Sequence, residues 1–482
     1  MGLVTPVDPV PLAELGRVHF AAIGGAGMSG IARIMLARGV PVSGCDSAAS
    51  AQLDELAALG AQVRVGHSAE HLAAADTLVV STAIRADNPE LVAARRQGIR
   101  VLHRAAALAS VMAGRRAVAV TGTHGKTTTT SMLTTVLRAC GADPSYVIGG
   151  ILAETGLGAA DGTGEVFVAE ADESDGSFLM FTPDVAVITS VEADHLDNYG
   201  SMDRIEAAFA AFAGRIVPGG LLVVCADDAG AIKAAAGVGR APGAGPPVRV
   251  RSYGASDAAD YRLSGVTPEG MATEFSLTAE TAGNPCGTTR LRIAVPGRHN
   301  ALNAAAAFAV AVELGCEPDQ VAAGLAAYQG ARRRLELKGT AGGVRVLDSY
   351  AHHPTELAAD LTAARDLAAG GRVIAIFQPH LYSRTASFAG QFGAVLGRAD
   401  EVIVLDIYAA REDPVPGVTS ALVSDAVPGG RAVLCRDRDG LPALIAELAR
   451  PSDVVLTMGA GDVTLLGPAI VAALRQRAGD GG

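Results

Sequence analysis

The residue types best suited to chemistry lie at positions 116–132, where a short apolar run leads into Thr-Gly-Thr-His-Gly-Lys-Thr. Residues 117–120 predict a buried parallel strand, and apolar residues at helical spacing after Thr127 predict a helix. A glycine turn between a strand and a helix offers free N–H groups and the positive end of the helix dipole to an anion. Lys126 could reach the outer phosphates of a nucleotide, and the Thr127 hydroxyl could bind Mg²⁺. The sequence therefore predicts a phosphate-binding loop.

The spacing of this loop differs from the common nucleotide-binding pattern. That pattern has four residues between its glycines, but Val120 stands where the first glycine would fall. The four successive threonines at 127–130 are poor helix formers, because branched side chains lose rotamer freedom in a helix. We interpret their hydroxyls as groups aimed at phosphate and metal. The alternative is a glycine turn whose lysine only caps a surface.

Two acidic stretches follow predicted strands of the same region. Residues 170–175 (Glu-Ala-Asp-Glu-Ser-Asp) follow a strand at 165–169, and residues 190–197 (Ser-Val-Glu-Ala-Asp-His-Leu-Asp) follow a strand at 184–189. The carboxyl ends of parallel strands form the edge at which open α/β sheets bind ligands. Since Mg²⁺ prefers carboxylate and phosphate oxygens, two such stretches beside a phosphate loop predict a metal site. Each stretch alone could be a solvated loop.

A second glycine-rich turn, Gly-Gly-Ala-Gly-Met-Ser-Gly, occupies residues 24–30. It lies between a predicted strand at 17–23 and a helix that reaches about residue 38, and Asp46 ends the following strand. Glycines at this spacing with an acid downstream fit the dinucleotide fingerprint. The residues alone leave two interpretations open, an NAD-dependent enzyme or a site for another diphosphate.

The composition limits the possible functions. The net charge of −11 argues against nucleic acid as the main partner. Six cysteines without any Cys-x-x-Cys pair argue against a disulfide framework or a zinc site and favour a reducing cytoplasm. The N-terminus lacks the pattern of a signal peptide, and no run approaches the ~18 apolar residues of a membrane helix. We therefore expect a soluble cytoplasmic protein without membrane insertion.

The length and the strand pattern predict the architecture. The 482 residues suffice for about three domains, and 4% aromatic residues with no Trp suit α/β domains. Residues 236–290 predict edge strands and loops, and strands alternate with helices again beyond residue 330. We predict an α/β chain with a Rossmann-like N-terminal domain at 1–113, a P-loop-type central ATPase domain at 114–331 and a Rossmann-like C-terminal domain at 332–482.

Residues 121–129, Thr-Gly-Thr-His-Gly-Lys-Thr-Thr-Thr, resemble the nucleotide loop of the ATP-dependent Mur ligases of peptidoglycan synthesis. The turn at 24–30 is similar to an N-terminal signature of that family, and the phrases at 81–82, 88–90 and 103–104 are similar to its substrate loops. The resemblance implies that the first domain binds the UDP of UDP-N-acetylmuramate. The implied substrate ligands are Gly25, Ala26, Gly27, Met28, Ser29, Asp46, Ser81, Thr82, Asn88, His103 and Arg104.

The same resemblance implies ATP and Mg²⁺ as cofactors. The implied nucleotide ligands are Gly122, Thr123, His124, Gly125, Lys126, Thr127, Thr128, Asn300, Arg333, Arg334 and Asp348, and the implied metal ligands are Thr127, Glu170 and His195. On chemical grounds alone His195 would be an unusual ligand for Mg²⁺. The alternative for Asn300 is helix capping, and the alternative for the arginines is a solvated charge run.

The activity implied by the resemblance is ATP-dependent amide formation. Several relatives carry a lysine on the helix after the metal-side histidine, but none occurs here between His195 and Lys233, which favours the branch that adds L-alanine to UDP-N-acetylmuramate. The carboxylate is first phosphorylated by ATP, and the alanine amine then displaces phosphate from the acyl phosphate. The implied catalytic residues are Lys126, His195, His352, His353 and Arg384.

Two residues depart from the family pattern, and three other functions remain open. Ser349 replaces an Asp, and Leu381 replaces an Arg, which leaves Arg384 as the nearest cation in that phrase. One alternative is a related Mur ligase that attaches a whole peptide to the same sugar nucleotide. The others are an NAD-dependent dehydrogenase, supported by the turn at 25–30 with Asp46, and a non-catalytic ATP-binding switch.

Overall fold

The computed structural model describes residues 3–238, 246–279, 287–410 and 412–479. Cys286 and two parts of the 236–290 stretch lie outside these ranges. The chain forms two compact units. The first unit consists of Met1–Ser264, Ser276–Leu291 and Leu302–Tyr328, and the second consists of Gly265–Phe275, Arg292–Ala301 and Gln329–Gly482.

The first unit begins with a five-stranded parallel sheet. Its strands are β1 (Val18–Ala21), β2 (Val42–Asp46), β3 (Gln62–Val65), β4 (Thr77–Val80) and β5 (Arg100–His103), and its helices are α1 (Ala26–Ala37), α2 (Ala51–Ala58), α3 (Pro89–Gln97) and α4 (Arg104–Met112). The strand order is β3-β2-β1-β4-β5. The order reverses between β1 and β4, so the turn after β1 opens into the crevice where such sheets bind ligands.

The second sheet has ten strands. They are β6 (Arg116–Thr121), β7 (Ser145–Val147), β8 (Ala159–Ala160), β9 (Val166–Glu170), β10 (Val185–Ile188), β11 (Leu221–Cys225), β12 (Arg249–Gly254), β13 (Tyr261–Glu269), β14 (Ala272–Ala279) and β15 (Thr288–Ile293). Their order is β15-β14-β13-β12-β11-β10-β6-β9-β7-β8. β6 therefore lies between β10 and β9, and the two acidic stretches begin at the ends of its two neighbours.

Six helices accompany the second sheet, namely α5 (Lys126–Ala139), α6 (Leu196–Tyr199), α7 (Met202–Ala213), α8 (Ala229–Ala235), α9 (Arg298–Glu313) and α10 (Pro318–Ala327). Apolar side chains from both sheets of the first unit form one buried cluster, which includes Phe20, Phe167 and Phe178. The central strands are buried on both faces because helices cover them, as expected for parallel sheets.

The sheet of the second unit contains β16 (Glu336–Ala341), β17 (Val344–Ser349), β18 (Val373–Phe377), β19 (Glu401–Val404), β20 (Ala432–Leu434) and β21 (Val454–Met458). The order is β16-β17-β21-β18-β19-β20, and only the pair β16–β17 is antiparallel. The helices are α11 (Pro354–Ala368), α12 (Tyr382–Leu396), α13 (Ala421–Ser424), α14 (Leu441–Leu448) and α15 (Leu466–Gly479).

The predicted α/β class with Rossmann-like parallel sheets is confirmed. Strands alternate with helices beyond residue 330, as predicted, but β16 was not predicted. The domain boundaries after residues 113 and 331 remain predictions. Within the described ranges, no helix is long and apolar enough to cross a membrane, and Cys45, Cys140, Cys225, Cys316 and Cys435 are free thiols.

Candidate active site

The predicted phosphate loop follows β6 and leads directly into α5. Gly122 has φ = 138° and Gly125 has φ = 82°. A Cβ on Gly122 would lie 2.0 Å from the Thr189 hydroxyl, and a Cβ on Gly125 would lie 2.5 Å from Asn303 Oδ1. Both positions require glycine because the backbone angle and the lack of space exclude a side chain. The start of α5 is thereby left open to an anion.

Lys126, the first residue of α5, bends back over this turn. Its Nζ donates to the carbonyl oxygens of Gly122 (2.6 Å) and Thr123 (3.1 Å) and to Glu173 Oε1 (2.8 Å). Burial lowers the pKa of Lys126, but Glu173 and Asp172 raise this pKa by more, so the net shift is upward. The lysine is therefore a fixed cation within the turn.

The carboxylate that pairs with Lys126 was not singled out from the sequence. Burial raises the pKa of Glu173 to about 7, although the charge of Lys126 opposes the shift. Burial also acts to raise the pKa of the adjacent Asp172, but Arg104 and Lys126 lower it well below its usual range. The two neighbours therefore differ in charge near neutral pH, because Asp172 is ionised while Glu173 titrates.

Thr127 and Glu170 are the predicted metal ligands that the structure brings together. Thr127 Oγ1 donates to Glu170 Oε1 at 3.2 Å, and Glu170 Oε2 accepts from the backbone N–H of Gly149 at 2.7 Å. A hydroxyl and a carboxylate are the oxygen donors that Mg²⁺ prefers, so this pair fits the metal. The third predicted ligand, His195, precedes α6 with φ = 52°, and its Nε2 lies 3.5 Å from Asp194 Oδ2.

The second acidic stretch positions the loop residues Thr123 and His124. The backbone N–H of Thr123 donates to the Ser190 carbonyl at 2.9 Å, and that of His124 donates to Ser190 Oγ at 3.0 Å. The Thr123 hydroxyl accepts from the N–H of Glu192 at 2.9 Å, and His124 Nε2 lies 3.4 Å from Glu192 Oε2. This stretch therefore fixes the conformation of the phosphate loop.

The expectation that all four threonine hydroxyls face phosphate and metal is wrong for two of them. Thr129 Oγ1 donates to Asn303 Oδ1 at 3.2 Å, and Thr130 Oγ1 donates to the Lys126 carbonyl at 2.8 Å. The second bond is the local i−4 bond that Thr commonly makes inside a helix. The first connects α5 to α9. Thr128, also a predicted nucleotide ligand, is buried at the start of α5.

The N-terminal glycine turn has a different construction. Gly25 precedes α1 with φ = −61°, an angle open to any residue. Asp46 Oδ2 accepts from the backbone N–H of Gly24 at 3.0 Å, so this acid closes the turn. The Met28 side chain is buried in the apolar cluster, whereas Ser29 is half-buried. The side chain of Ala26 lies outside the described part of the structure.

The remaining predicted substrate residues of the first sheet follow β4 and precede α3. Ser81 and Thr82 are half-buried directly after β4, the strand beside β1. The side chain of Asn88 caps α3, since its Oδ1 accepts from the N–H groups of Glu90 (3.0 Å) and Leu91 (3.2 Å). This bond fixes the loop before α3 and leaves the Asn88 amide nitrogen as the donor group of that side chain.

Arg104 connects the first glycine turn to the acidic stretch at 170–175. Its Nη2 donates to Asp172 Oδ2 at 2.6 Å, and a Cβ built on Gly27 would lie 3.3 Å from Arg104 Nη1. The neighbouring His103 lies with Nε2 3.6 Å from Asp175 Oδ2. Burial lowers the pKa of His103, and Asp175 only partly opposes the shift. The cation beside the first turn and the cation of the second turn thus meet one acidic stretch.

In the second unit, three predicted nucleotide ligands converge around one tyrosine that the sequence did not single out. The guanidinium carbons of Arg333 and Arg334 lie 4.9 Å and 5.4 Å from the centre of the Tyr350 ring. Arg333 Nε lies 3.4 Å from Asp348 Oδ2, and Arg333 has φ = 63°. Asp348 also accepts from Thr457 Oγ1 at 2.8 Å. The arginines are therefore held by packing and pairing and are not a simple solvated run.

The other predicted residues of the second unit begin helices or lie inside them. His353 caps α11 in a capping box with Glu356, and His352 Nδ1 lies 2.9 Å from the Tyr350 carbonyl. Arg384 is buried in α12. Asn300 Nδ2 donates to the Pro296 carbonyl at 2.7 Å, so its amide is used at the start of α9.

The two departures from the family pattern have structural counterparts. Ser349 donates a hydrogen bond to the buried Asp360. Burial raises the pKa of Asp360 to about 7, while the Ser349 bond opposes the shift. Leu381 precedes α12 with φ = 68°, which is uncommon for a residue with a side chain. The backbone N–H of Leu381 donates to the Tyr408 carbonyl, and the Leu381 carbonyl accepts from Thr385 Oγ1.

Three family models match successive parts of the chain. They are the Mur ligase family catalytic domain at residues 17–116, the Mur ligase middle domain at 120–311 and the Mur ligase glutamate ligase domain at 333–461. The parts of the chain that hold the two glycine turns and the Tyr350 cluster are thus all covered. The chain belongs to the Mur ligase family.

Similarity to individual members covers nearly the full length. The chain is 56% identical over 482 residues to the UDP-N-acetylmuramate–L-alanine ligase of Thermobifida fusca, covering 98% of this chain and 100% of that protein. It is 57% identical over 473 residues to the enzyme of the same name from Kineococcus radiotolerans, covering 97% and 98%. The solved UDP-N-acetylmuramate–alanine ligase of Thermotoga maritima is similar with a TM-score of 0.78 and 28% identity, covering 96% and 99%.

Proposed function

We propose that this protein uses ATP and Mg²⁺ to join L-alanine to the lactyl carboxylate of UDP-N-acetylmuramate. The observation that carries the proposal is the convergence of the two glycine turns on one acidic stretch. Arg104, beside the first turn, pairs with Asp172, and Lys126 of the second turn pairs with Glu173. The near full-length identity to L-alanine ligases supports this substrate pair.

The reaction requires two anions to meet. A carboxylate and an ammonium group do not form an amide spontaneously, so the carboxylate oxygen first attacks the γ-phosphorus of ATP. The bond between the γ-phosphorus and the oxygen that bridges to the β-phosphate breaks. ADP departs, and the substrate carboxylate becomes an acyl phosphate. Phosphoryl transfer depends mainly on positioning and charge stabilisation. Lys126, which is fixed at the start of α5, supplies positive charge at the proposed nucleotide site. Arg104 supplies positive charge on the side of the muramyl substrate.

The metal would lie beside Thr127 and Glu170, with His195 as the third proposed ligand. The hydroxyl and carboxylate oxygens of the first two fit Mg²⁺. Bound Mg²⁺ would neutralise phosphate charge. The Glu170 carboxylate is oriented for this role by its bond to the Gly149 N–H, and the Thr127 hydroxyl by its bond to Glu170.

The second half of the reaction is assigned to the second unit. The alanine amine attacks the carbonyl carbon, phosphate leaves from the tetrahedral intermediate, and His352, His353 or water accepts the ammonium proton. We assign nucleotide contacts to Asn300, Arg333, Arg334 and Asp348. We assign Arg384 the role of supplying positive charge near the reacting groups. The packing of both arginines on Tyr350 fixes their guanidinium planes, which suits binding to phosphate.

The test is phosphate release by the purified protein with ATP, Mg²⁺ and UDP-N-acetylmuramate. A panel of L-amino acids and the tripeptide L-alanyl-γ-D-glutamyl-meso-diaminopimelate serve as acceptors. We expect phosphate release that depends on both the sugar nucleotide and L-alanine, with a UDP-N-acetylmuramyl-alanine product in mass spectrometry. Faster turnover with the tripeptide than with alanine would contradict the proposal.

A further inference from the structure

A cluster of buried and half-buried polar side chains lies beside β1, β2 and α3 of the first unit, and the proposed reaction does not use it. We call it the Glu90 cluster; its members are His19, Cys45, His67, His71 and Glu90. Glu90 and Cys45 are fully buried, and His19 is 1% exposed. Glu90 Oε1 lies 2.8 Å from Cys45 Sγ, 2.9 Å from His71 Nδ1 and 3.3 Å from His19 Nε2.

Four members present a set of metal-ligating atoms at close range. The ligating atoms of His19, Cys45, His71 and Glu90 all lie within 4.8 Å of one another. Zn²⁺ binds sulfur at about 2.3 Å and nitrogen or oxygen at about 2.0–2.2 Å, usually as a tetrahedron. The corners of such a tetrahedron are about 3.3–3.8 Å apart, so small side-chain shifts suffice. We propose that His19, Cys45, His71 and Glu90 form a structural zinc site in the first sheet.

The charges of the four residues match a divalent cation. A Cys45 thiolate and a Glu90 carboxylate would balance Zn²⁺, and two neutral imidazoles add no charge. Because zinc binds cysteine as the thiolate, binding would release the thiol proton, and the thiolate, the Glu90 carboxylate and Zn²⁺ would together form a neutral centre.

The surrounding residues orient the proposed ligands. Ser43 Oγ lies 2.8 Å from His19 Nδ1, and a proton on Nδ1 donated to this hydroxyl leaves Nε2 as a lone pair toward the metal. His67 Nδ1 lies 3.0 Å from Glu90 Oε2, the carboxylate oxygen opposite the one nearest His71. Partners of this kind fix the ring tautomer and the carboxylate direction in metal sites.

The position of the site gives it a structural role. It would connect the central strand β1, the end of β2 and the first turn of α3, which are distant in sequence. Asp46, which closes the glycine turn, directly follows Cys45, and Asn88, the cap of α3, precedes Glu90 by two residues. A metal here would therefore fix both segments. The sequence argued against zinc because its cysteines form no Cys-x-x-Cys pair, and the four proposed ligands are indeed dispersed and include only one cysteine.

The test uses the full-length protein freed of metal by a chelator and titrated with Co²⁺. We expect one equivalent of Co²⁺ to bind with a thiolate-to-cobalt charge-transfer band, which Zn²⁺ abolishes by displacement. Cys45→Ser should lose the band, and Cys435→Ser, at a half-buried thiol outside the cluster, should keep it. Absence of a stoichiometric band in the wild type, or a band that persists in Cys45→Ser, would overturn the proposal.

A second variant keeps the test valid if Cys45→Ser does not fold. Ser43→Ala removes only the hydroxyl beside His19, and loss of such an orienting partner weakens metal binding by roughly 10–100-fold. Competition with a zinc chelator should show that decrease with an unchanged circular-dichroism spectrum. Unchanged zinc affinity in Ser43→Ala would contradict the assigned role of His19 Nε2. Alanine-dependent turnover is measured separately, so its presence or absence does not decide the zinc site.

Discussion

The two glycine turns of the first unit share the strand–turn–helix form but differ in the source of their positive charge. In the second turn, Gly125 has φ = 82°, and Lys126 is the first residue of the same helix. In the first turn, Gly25 has an ordinary φ of −61°, and the cation beside it, Arg104, begins α4 after another strand. One turn is complete within a few residues, whereas the other needs a distant segment of the chain.

This difference determines how the charges are compensated. Lys126 meets Glu173 and Arg104 meets Asp172, so the cations of both turns use adjacent acids of one stretch. Each cationic side chain is held in place by its acidic partner without bound ligand. Binding of a phosphate or carboxylate therefore does not have to order that side chain. Preorganised charge of this kind is the main contribution a protein can make to phosphoryl transfer. We therefore expect the second turn to control rate and the first to control affinity.

The largest effect should come from the self-contained turn. Lys126→Ala should lower alanine-dependent turnover roughly a thousandfold, since a strong donor to the transition state is lost. The melting temperature should also fall, because Lys126 pairs with the buried Glu173 and its removal leaves that carboxylate without its cation. The matched control is Lys233→Ala, which removes an exposed lysine paired with Glu206. Turnover of Lys126→Ala within tenfold of wild type would contradict the assignment.

The charge of Arg104, which comes from the start of α4, should control substrate binding. Arg104→Ala should raise the dissociation constant for UDP-N-acetylmuramate roughly tenfold to a hundredfold, since hydrogen bonds to charged groups contribute about 1.5–3 kcal/mol. Binding of a non-hydrolysable ATP analogue should change much less. Calorimetry with both ligands measures this. Arg33→Ala, which removes a similarly exposed arginine paired with Glu55 on α2, should bind both normally. An equal decrease in affinity for both ligands would show that the first turn is not specific to UDP-N-acetylmuramate.

The same difference explains what could be predicted from the sequence. The strand, the glycines and Lys126 of the second turn lie within ten residues of one another, so their order alone predicts the turn. The pairing partner could not be predicted, because Asp172 and Glu173 lie in a loop and their directions depend on its fold. Strand β16 was missed because it is an antiparallel edge strand, half exposed and interrupted at Gly339 by an irregularity in register.

The least predictable features were clusters of side chains that are distant in sequence and meet only through the order and pairing of the strands. His19, Cys45 and Glu90 come together only because β1 lies next to β2 and α3 packs nearby, and no local pattern in the sequence indicates this. Arg333 and Arg334 similarly reach Tyr350 because β16 and β17 pair antiparallel, which places the residues before β16 beside those after β17. The resemblance to the Mur ligases gave both arginines a role but no account of what positions them.

The glycines of the two turns should respond differently to the same substitution. Gly125→Ala should lower the free energy of unfolding by roughly 1–2 kcal/mol, because a left-handed backbone is unfavourable for alanine. The new Cβ would also lie 2.5 Å from Asn303 Oδ1. Gly25→Ala should be tolerated, since its nearest neighbour is the Ala22 carbonyl oxygen at 3.4 Å. Thermal and urea unfolding measure both, and equal destabilisation would show that backbone angle is not the distinction between the turns.

The smallest effect concerns the two adjacent acids and depends on pH. The pKa of Glu173 rises from 4.5 to about 7 on folding, so the folded protein holds a proton that the unfolded chain has released. Stability from this group is therefore present below pH 4.5 and declines as the pH rises through 7. Glu173→Gln should remove that decline. The melting temperature of the variant relative to wild type should therefore be higher at pH 8 than at pH 5. The pKa of Asp172 is lowered on folding, so its contribution is constant across this range and is lost only in acid. Asp172→Asn should therefore differ from wild type by the same amount at both pH values. If the Glu173→Gln difference is also constant, the acid beside Lys126 is ionised throughout, and the two turns hold their partners in the same charge state.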